Sequence, residues 1–505
     1  MHPSPDTNNA PPTASRVLFL LVALLAIALL RLWRLSEAGP PDYDSVRNWQ
    51  VILELTQGNF AHLFHHGSPG FLLLYAPVTL LTKKFLVYQT LNALLGVVGL
   101  GLFVGWVSSK AELPGPEAAG LTLLAGTSLL LTFSGRDFTM SSASLVVFAG
   151  LLRSHFARLQ RPSPLALVRV ARWLAVGLCI NYKFLFAVPI LAVLEVSRAD
   201  GLWRWHSLRR VLLVLAQPYL LFGAMGVLAG LPWYRWLGFY VRTVVPAAAN
   251  VAGRQGTLHL DGLYYFRYLL SFESPLLLAG LGLAVWLAWR TWRREQWAWR
   301  QPLPLLVYLL VWAGCLLVGM SLLIKAPRGL LFAFLPLAAL AGLSGQRVLP
   351  RWGLVAALLA ATGMNIFRIQ QELYAPLPTR YPQVATWLRQ HNATKIVSTV
   401  GLGLVPYLQS NQTLTVITDE RQLAGLRRQG YQYVLLDGYW RVAGVQRFDS
   451  LRRQPWVAAW AAPQLHQPLL FLEHSEFTGL GYAETLAACQ IAAGDTLPLR
   501  LYKLR

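Results

Sequence analysis

Charge is the scarcest resource in this chain. Only 13% of its 505 residues are Asp, Glu, Lys or Arg, about half the share of a soluble domain. Acids are the scarcer sign, with 22 Asp and Glu against 44 Lys and Arg. Cysteine is nearly absent, and Cys179, Cys315 and Cys489 are too scattered for a disulfide framework or a metal cluster. No HExxH, CxxC, GxSxG or phosphate-loop pattern occurs, and no internal repeat is evident. Several common hydrolase and nucleotide-binding chemistries are therefore not signalled.

Apolar residues are what the chain has in quantity: 55% of the total, with a mean hydropathy of +0.45. That balance describes an integral membrane protein. The formal charge of +22 does not point to nucleic acid, because the arginines fall mostly in short connectors between apolar stretches, where positive charge orients spans. Candidate spans lie at 16–35, 85–107, 118–135, 140–153, 166–181, 184–197, 211–230, 274–290, 303–324, 329–346 and 352–367. The expected fold is mostly α, a polytopic transmembrane bundle of about 11–13 spans followed by a small C-terminal α/β extracytoplasmic domain. Residues 1–15, polar and Pro-rich, read as a disordered tail, residues 16–367 as the membrane domain, and residues 368–505 as the α/β domain. The first apolar run reads as a retained span, since it lacks a small-residue cleavage site.

Four arginine clusters test the topology: 153–172, 198–210, 290–300, and Arg347 with Arg351. Counting from a cytoplasmic N-terminus puts all four inside. The same count puts Asp44, Asp137, Lys183, Lys325, Arg328 and the tail outside. It requires Phe71–Thr82, a short apolar run holding a proline, to stay in a first external loop at 36–84. Within that loop Val46–Leu55 has the spacing of an amphipathic helix, ended by Gly58. A second external loop holds Gly-Arg-Gln-Gly-Thr at 253–257 and reads as exposed and flexible. In the tail, 381–392 and 420–430 read as helices, and KIVSTV, LTVITD and YQYVLLDGYW as strands of a partly parallel sheet. Leu497–Leu504 reads as an edge strand, and the tail carries no catalytic constellation of its own.

The residues able to carry chemistry gather on the external side. Asp42 and Asp44 in Pro-Pro-Asp-Tyr-Asp-Ser are either solvated turn formers or a general base or metal-coordinating carboxylate at the membrane surface. Arg136-Asp137 is either a self-paired loop tip or a second carboxylate, with its arginine, facing the first. Lys183, Lys325 and Arg328 either snorkel or hold a phosphate. His65 and His66 are candidates for a phosphate or sugar hydrogen bond, and Arg31 and Arg34 are weaker candidates at a helix end.

In this order the motifs resemble the GT-C glycosyltransferases that use polyprenyl-phosphate sugars, in particular glycosyltransferase family 39 with its protein O-mannosyltransferases and aminoarabinose transferases. The resemblance rests on Asp44 to Gly58-Asn59, HHGSPGFLLLYAP, SGRDFTMSSASLVVFAGLL, GLCINYKFLFAVP and KAPRGLLFAFLP. The family's Asp-Glu is Asp44-Ser45 here. The resemblance implies inverting transfer from a polyprenyl-phosphate donor to a lipid, glycan or protein acceptor at a bacterial inner membrane, without a nucleotide sugar. It makes Asp44 the general base, Asp137 a residue that positions the acceptor, and Lys183 and Arg328 the groups that bind the departing phosphate. No cofactor is expected, and metal dependence stays open. A transporter or flippase, and a non-catalytic envelope-assembly protein, are the competing readings. The first usually places charges mid-span and shows repeats.

Overall fold

The computed structural model describes residues 14–39, 43–196, 204–244, 261–295, 303–323, 325–445 and 448–504. Each of the eleven apolar stretches forms helix. Among the described residues, four helices are long and apolar enough to cross a membrane by length and composition: Ala14–Ala38, Phe85–Lys110, Trp205–Leu228 and Arg351–Tyr374. A further span, expected as one run, is a pair, Gly115–Gly126 and Leu129–Arg136, bent by 63°. The remaining helices are shorter or more polar and pack against the others, among them Ser141–Gln160, Pro164–Ile180, Ala187–Val196, Leu276–Glu295, Leu305–Ser321 and Phe334–Val348.

Phe334–Val348 shows how the bundle is filled. Every residue from Phe334 to Gly345 is buried, as expected of a helix that is apolar all round. Its neighbour approaches through a small-residue contact: a Cβ on Gly280 would stand 2.4 Å from the Ala341 Cα. The bend at 126–129 also has a cause. Glu273 Oε1 accepts from the Leu130 amide and the Ser128 hydroxyl at 3.0 Å, and Oε2 accepts from Leu129 N at 3.1 Å. A buried carboxylate thus satisfies the amides that a new helix start leaves unpaired.

In the segment expected as the first external loop, Tyr43–Thr56 is helical, burying Val46, Val51, Ile52 and Leu55 while Arg47 and Glu54 pair at 2.7 Å. Pro69–Leu80 is a short apolar helix. Twelve residues rise only about 18 Å, against roughly 30 Å of hydrocarbon. Arg158, expected as an orienting connector charge, is instead 1% exposed and lies 3.4 Å from Glu195. An acid 37 residues away supplies its counter-charge, which no local pattern announces.

The tail forms a five-stranded sheet: β1 Lys395–Thr399, β2 Thr413–Ile417, β3 Tyr433–Asp437, β4 Ala458–Trp460 and β5 Leu499–Lys503. The order is β2-β1-β3-β5-β4, parallel across β2-β1-β3 and antiparallel around β5. The two helices and three strands expected are present, but β5 is internal rather than an edge. The three-residue β4 covers its free side, too short to show a period of two in the sequence. The sequence 253–257 lies outside the described residues.

β3 ends in Asp437, fully buried, which accepts from the Tyr439 amide at 3.0 Å and the Tyr381 hydroxyl at 2.8 Å. Burial pushes its carboxyl up to about 6, against the pull of those two bonds. A raised acid stabilises the fold most at low pH, and that contribution is lost as pH rises through about 6. Asp437→Asn removes the charge, keeps an acceptor for the Tyr439 amide and turns an NH2 donor toward the Tyr381 hydroxyl oxygen. It should raise the unfolding temperature at pH 8, by the equivalent of on the order of 1–3 kcal/mol, and change it little at pH 4. Equal destabilisation at both pH values contradicts this reading.

Candidate active site

Asp137, Asp44, Lys183 and Arg328, drawn from four distant parts of the chain, line one cavity of about 470 Å³. Each is aimed by its own local structure. Helix Leu129–Arg136, started by the Glu273 cap, ends directly at Asp137. Asn92 Nδ2 then donates to the Asp137 carbonyl at 2.6 Å, and the Phe138 amide donates to the Ser45 hydroxyl at 2.9 Å. Ser45, where the resembling family has its second acid, thus ties the Asp137 loop to the first turn of helix Tyr43–Thr56.

Lys183 follows the helix that ends at Ile180, where Asn181 Oδ1 accepts from the Lys183 amide at 3.0 Å. Its Nζ donates to the Arg328 carbonyl at 2.9 Å. Arg328 sits on the short turn Pro327–Leu330, with Nη1 3.9 Å from Asp44 Oδ2. His66 Nε2 lies 3.1 Å from the other Asp44 oxygen. His66 reaches it from a left-handed backbone, φ 51°, a conformation that costs a side chain about 1–2 kcal/mol and often marks functional geometry. Burial favours the neutral acid at Asp44, but His66, Arg328 and His474 outweigh it and hold the carboxyl well below the usual range.

The tail supplies the opposite wall, including Tyr439, Glu473 and His474, which sequence reasoning missed. Glu473 Oε1 accepts from the Arg328 amide at 2.7 Å, and Oε2 stands 3.6 Å from Arg328 Nε. His474 Nδ1 donates to the Leu470 carbonyl at 2.9 Å, leaving Nε2 to the Tyr439 hydroxyl at 2.6 Å. That hydroxyl also accepts from the Tyr43 amide at 3.3 Å. A Glu-His pair inside the apolar LLFLEHSEF was the available signal.

Other candidates sit elsewhere. Arg136 is not a wall of this cavity; it donates to the Arg31 and Trp33 carbonyls at 2.8 and 2.7 Å, latching the end of the first long helix. Arg34 pairs with Glu37 at 2.6 Å, and Arg31 is buried against Gly135. Lys325 Nζ turns back to the Ser321 carbonyl at 2.6 Å. The His65 ring lies against His66, tilted by 55° with centroids 3.8 Å apart, and burial with that neighbour pushes its imidazole down to about 3. Asp42 lies outside the described residues. Among the described residues, no group of three or more His, Cys, Asp and Glu side chains could hold a metal.

Gly67 holds the His66 turn in place. Its φ is +64°, a Cβ there would meet Phe239 Cδ1 at 2.2 Å, and its carbonyl accepts from Trp236 Nε1 at 3.0 Å. Gly67→Ala should lower stability by about 1–3 kcal/mol, read as a drop in unfolding temperature. An unchanged transition contradicts the strain assigned to this turn.

No protein-family model matches the sequence, and no curated protein matches it significantly. Solved structures do. ArnT from Cupriavidus metallidurans in the apo state is 15% identical with a TM-score of 0.58, over 88% of this chain and 95% of that one. The apo oligosaccharyltransferase of Archaeoglobus fulgidus is 12% identical with a TM-score of 0.51, over 84% and 70%. At such identities the likeness concerns architecture. The chain has the GT-C membrane fold with a C-terminal α/β unit.

Proposed function

We propose that this protein is a membrane glycosyltransferase of the family 39 kind, moving a sugar from a polyprenyl-phosphate carrier to an extracytoplasmic lipid, glycan or protein acceptor. The observation that carries the reading is the convergence of Asp44 and Asp137 with Lys183 and Arg328 on one cavity. That pairing of carboxylates with fixed cations suits a reaction that releases a proton at one end and a phosphate at the other. The likeness in fold to an oligosaccharyltransferase and to ArnT supports it. In this account residues 16–367 form the catalytic domain, and residues 368–505 lie outside a bacterial inner membrane with the N-terminus in the cytoplasm.

Asp44 accepts the proton of the acceptor hydroxyl or amine as that atom attacks the anomeric carbon. The carbon–oxygen bond to the phosphate breaks, and configuration inverts. Lys183 and Arg328 take up the charge that grows on the leaving phosphate. Asp137 positions the acceptor. Arrival of the phosphate gives Arg328 a third anion beside Asp44 and Glu473, weakens its hold on Asp44 and raises the basicity of that carboxylate. Clustering at one face also favours an enzyme over a transporter with mid-span charges.

Sugar transfer from a polyprenyl-phosphate donor tests the reading. Asp44→Asn should lose on the order of 10²–10⁴ in turnover, with donor binding retained. Equal turnover in wild type and variant removes Asp44 from the role of base. A second prediction follows from the depressed Asp44 carboxyl. Activity needs the ionised form, and His66 is the first of the groups that keep it ionised. His66→Ala should therefore move the acid limb of the kcat/KM profile to higher pH. An acid limb that stays in place shows that His66 does not tune the base.

A further inference from the structure

Glu473 is the one carboxylate that the C-terminal unit brings to the cavity wall among its described lining residues, and it is placed against a cation. It is only 4% exposed. Both of its oxygens face Arg328, one on the backbone amide at 2.7 Å and one near the guanidinium at 3.6 Å. The segment that carries it is anchored through the two residues that follow. His474 bonds to Tyr439, and the Ser475 hydroxyl donates to the Lys325 carbonyl at 2.7 Å. Glu473 is thus buried in a tied-down segment, with its charge directed at Arg328.

A fixed, buried negative charge on the far side of Arg328 has two consequences. It offsets the charge of the half-buried arginine while the cavity is empty. It also opposes any dianion bound to the near side, because like charges a few ångströms apart repel strongly where water is scarce. With Asp44 and Asp137 in the same lining, three carboxylates stand against Lys183 and Arg328, a composition suited to holding a phosphate only moderately.

Resting on the carrier reading above, we propose that Glu473 is a positioning residue that limits the affinity of the site for the spent polyprenyl phosphate and so promotes its release. The transferred sugar leaves behind a phosphate monoester, whose added negative charge would otherwise bind more tightly than the donor diester does. Product release limits turnover in many enzymes. By opposing the product more than the donor, Glu473 favours the forward cycle, and it does so through the orientation and net charge of Arg328.

The test is binding of undecaprenyl phosphate to the full chain in detergent, with donor turnover measured in parallel. Glu473→Gln keeps the acceptor for the Arg328 amide and removes the charge. It should bind undecaprenyl phosphate roughly tenfold more tightly while kcat falls, whereas Glu473→Asp, which keeps the charge, should stay near the wild-type affinity. Glu473→Met gives a second charge-free side chain of similar length, with the same tightening expected. Unchanged or weaker binding in the charge-free variants overturns the proposal while leaving the glycosyltransferase reading intact. Failure of both charge-free variants to fold also overturns it, because Glu473 is then a structural residue. Absence of both undecaprenyl phosphate binding and transfer in the wild type overturns the carrier reading, and this inference with it.

Discussion

Arg328 is the point on which the arrangement turns. A guanidinium this enclosed needs partners, and it has them from both halves of the molecule: Asp44 from the start of the chain and Glu473 from near its end. Lys183 donates to its carbonyl, and Glu473 accepts from its amide. One short turn is therefore gripped through its side chain and its backbone. Losing one partner of such a pair costs far more than the intact pair gains, so the membrane bundle and the α/β unit are held in register by the same charge that faces the cavity.

The polar lining depends on departures from regular structure. The 63° break at 126–129 would leave helix-start amides unsatisfied in an apolar setting, and Glu273 answers that need from another helix. The break ends a short helix at Asp137 instead of carrying it through. At His66 the chain accepts an unfavourable backbone conformation, with Gly67 beside it in the same left-handed region, and the imidazole reaches Asp44 as a result. At Asn181 the backbone amide closes one helix and the side chain starts the turn that presents Lys183. The irregularities at His66 and Asn181 fall at cavity residues, in keeping with strain being concentrated where geometry matters.

Much of this was legible in the sequence. Hydropathy located the apolar helices, because lipid leaves the backbone few alternatives. The positive-inside rule sorted charges by side, and Asp44, Asp137, Lys183 and Arg328, all assigned to one side, do share a cavity. The misses concern long-range pairing. Glu195 neutralising Arg158, Arg136 latching the first long helix, and Glu473 seated on Arg328 each join residues whose local contexts say nothing of one another. The internal position of β5 was hidden by the shortness of β4, and the tail's share of the cavity by the absence of any recognisable motif there.

The central claim is that the cavity between Asp44 and Arg328 receives a lipid-linked phosphate. A structure of the protein with undecaprenyl phosphate bound tests it most directly. The account predicts the phosphate in the cavity, within hydrogen-bonding reach of Lys183 and the Arg328 guanidinium, with Asp44 facing it across open space. A phosphate bound elsewhere on the bundle, with Arg328 still closed on Asp44 and Glu473, would contradict it.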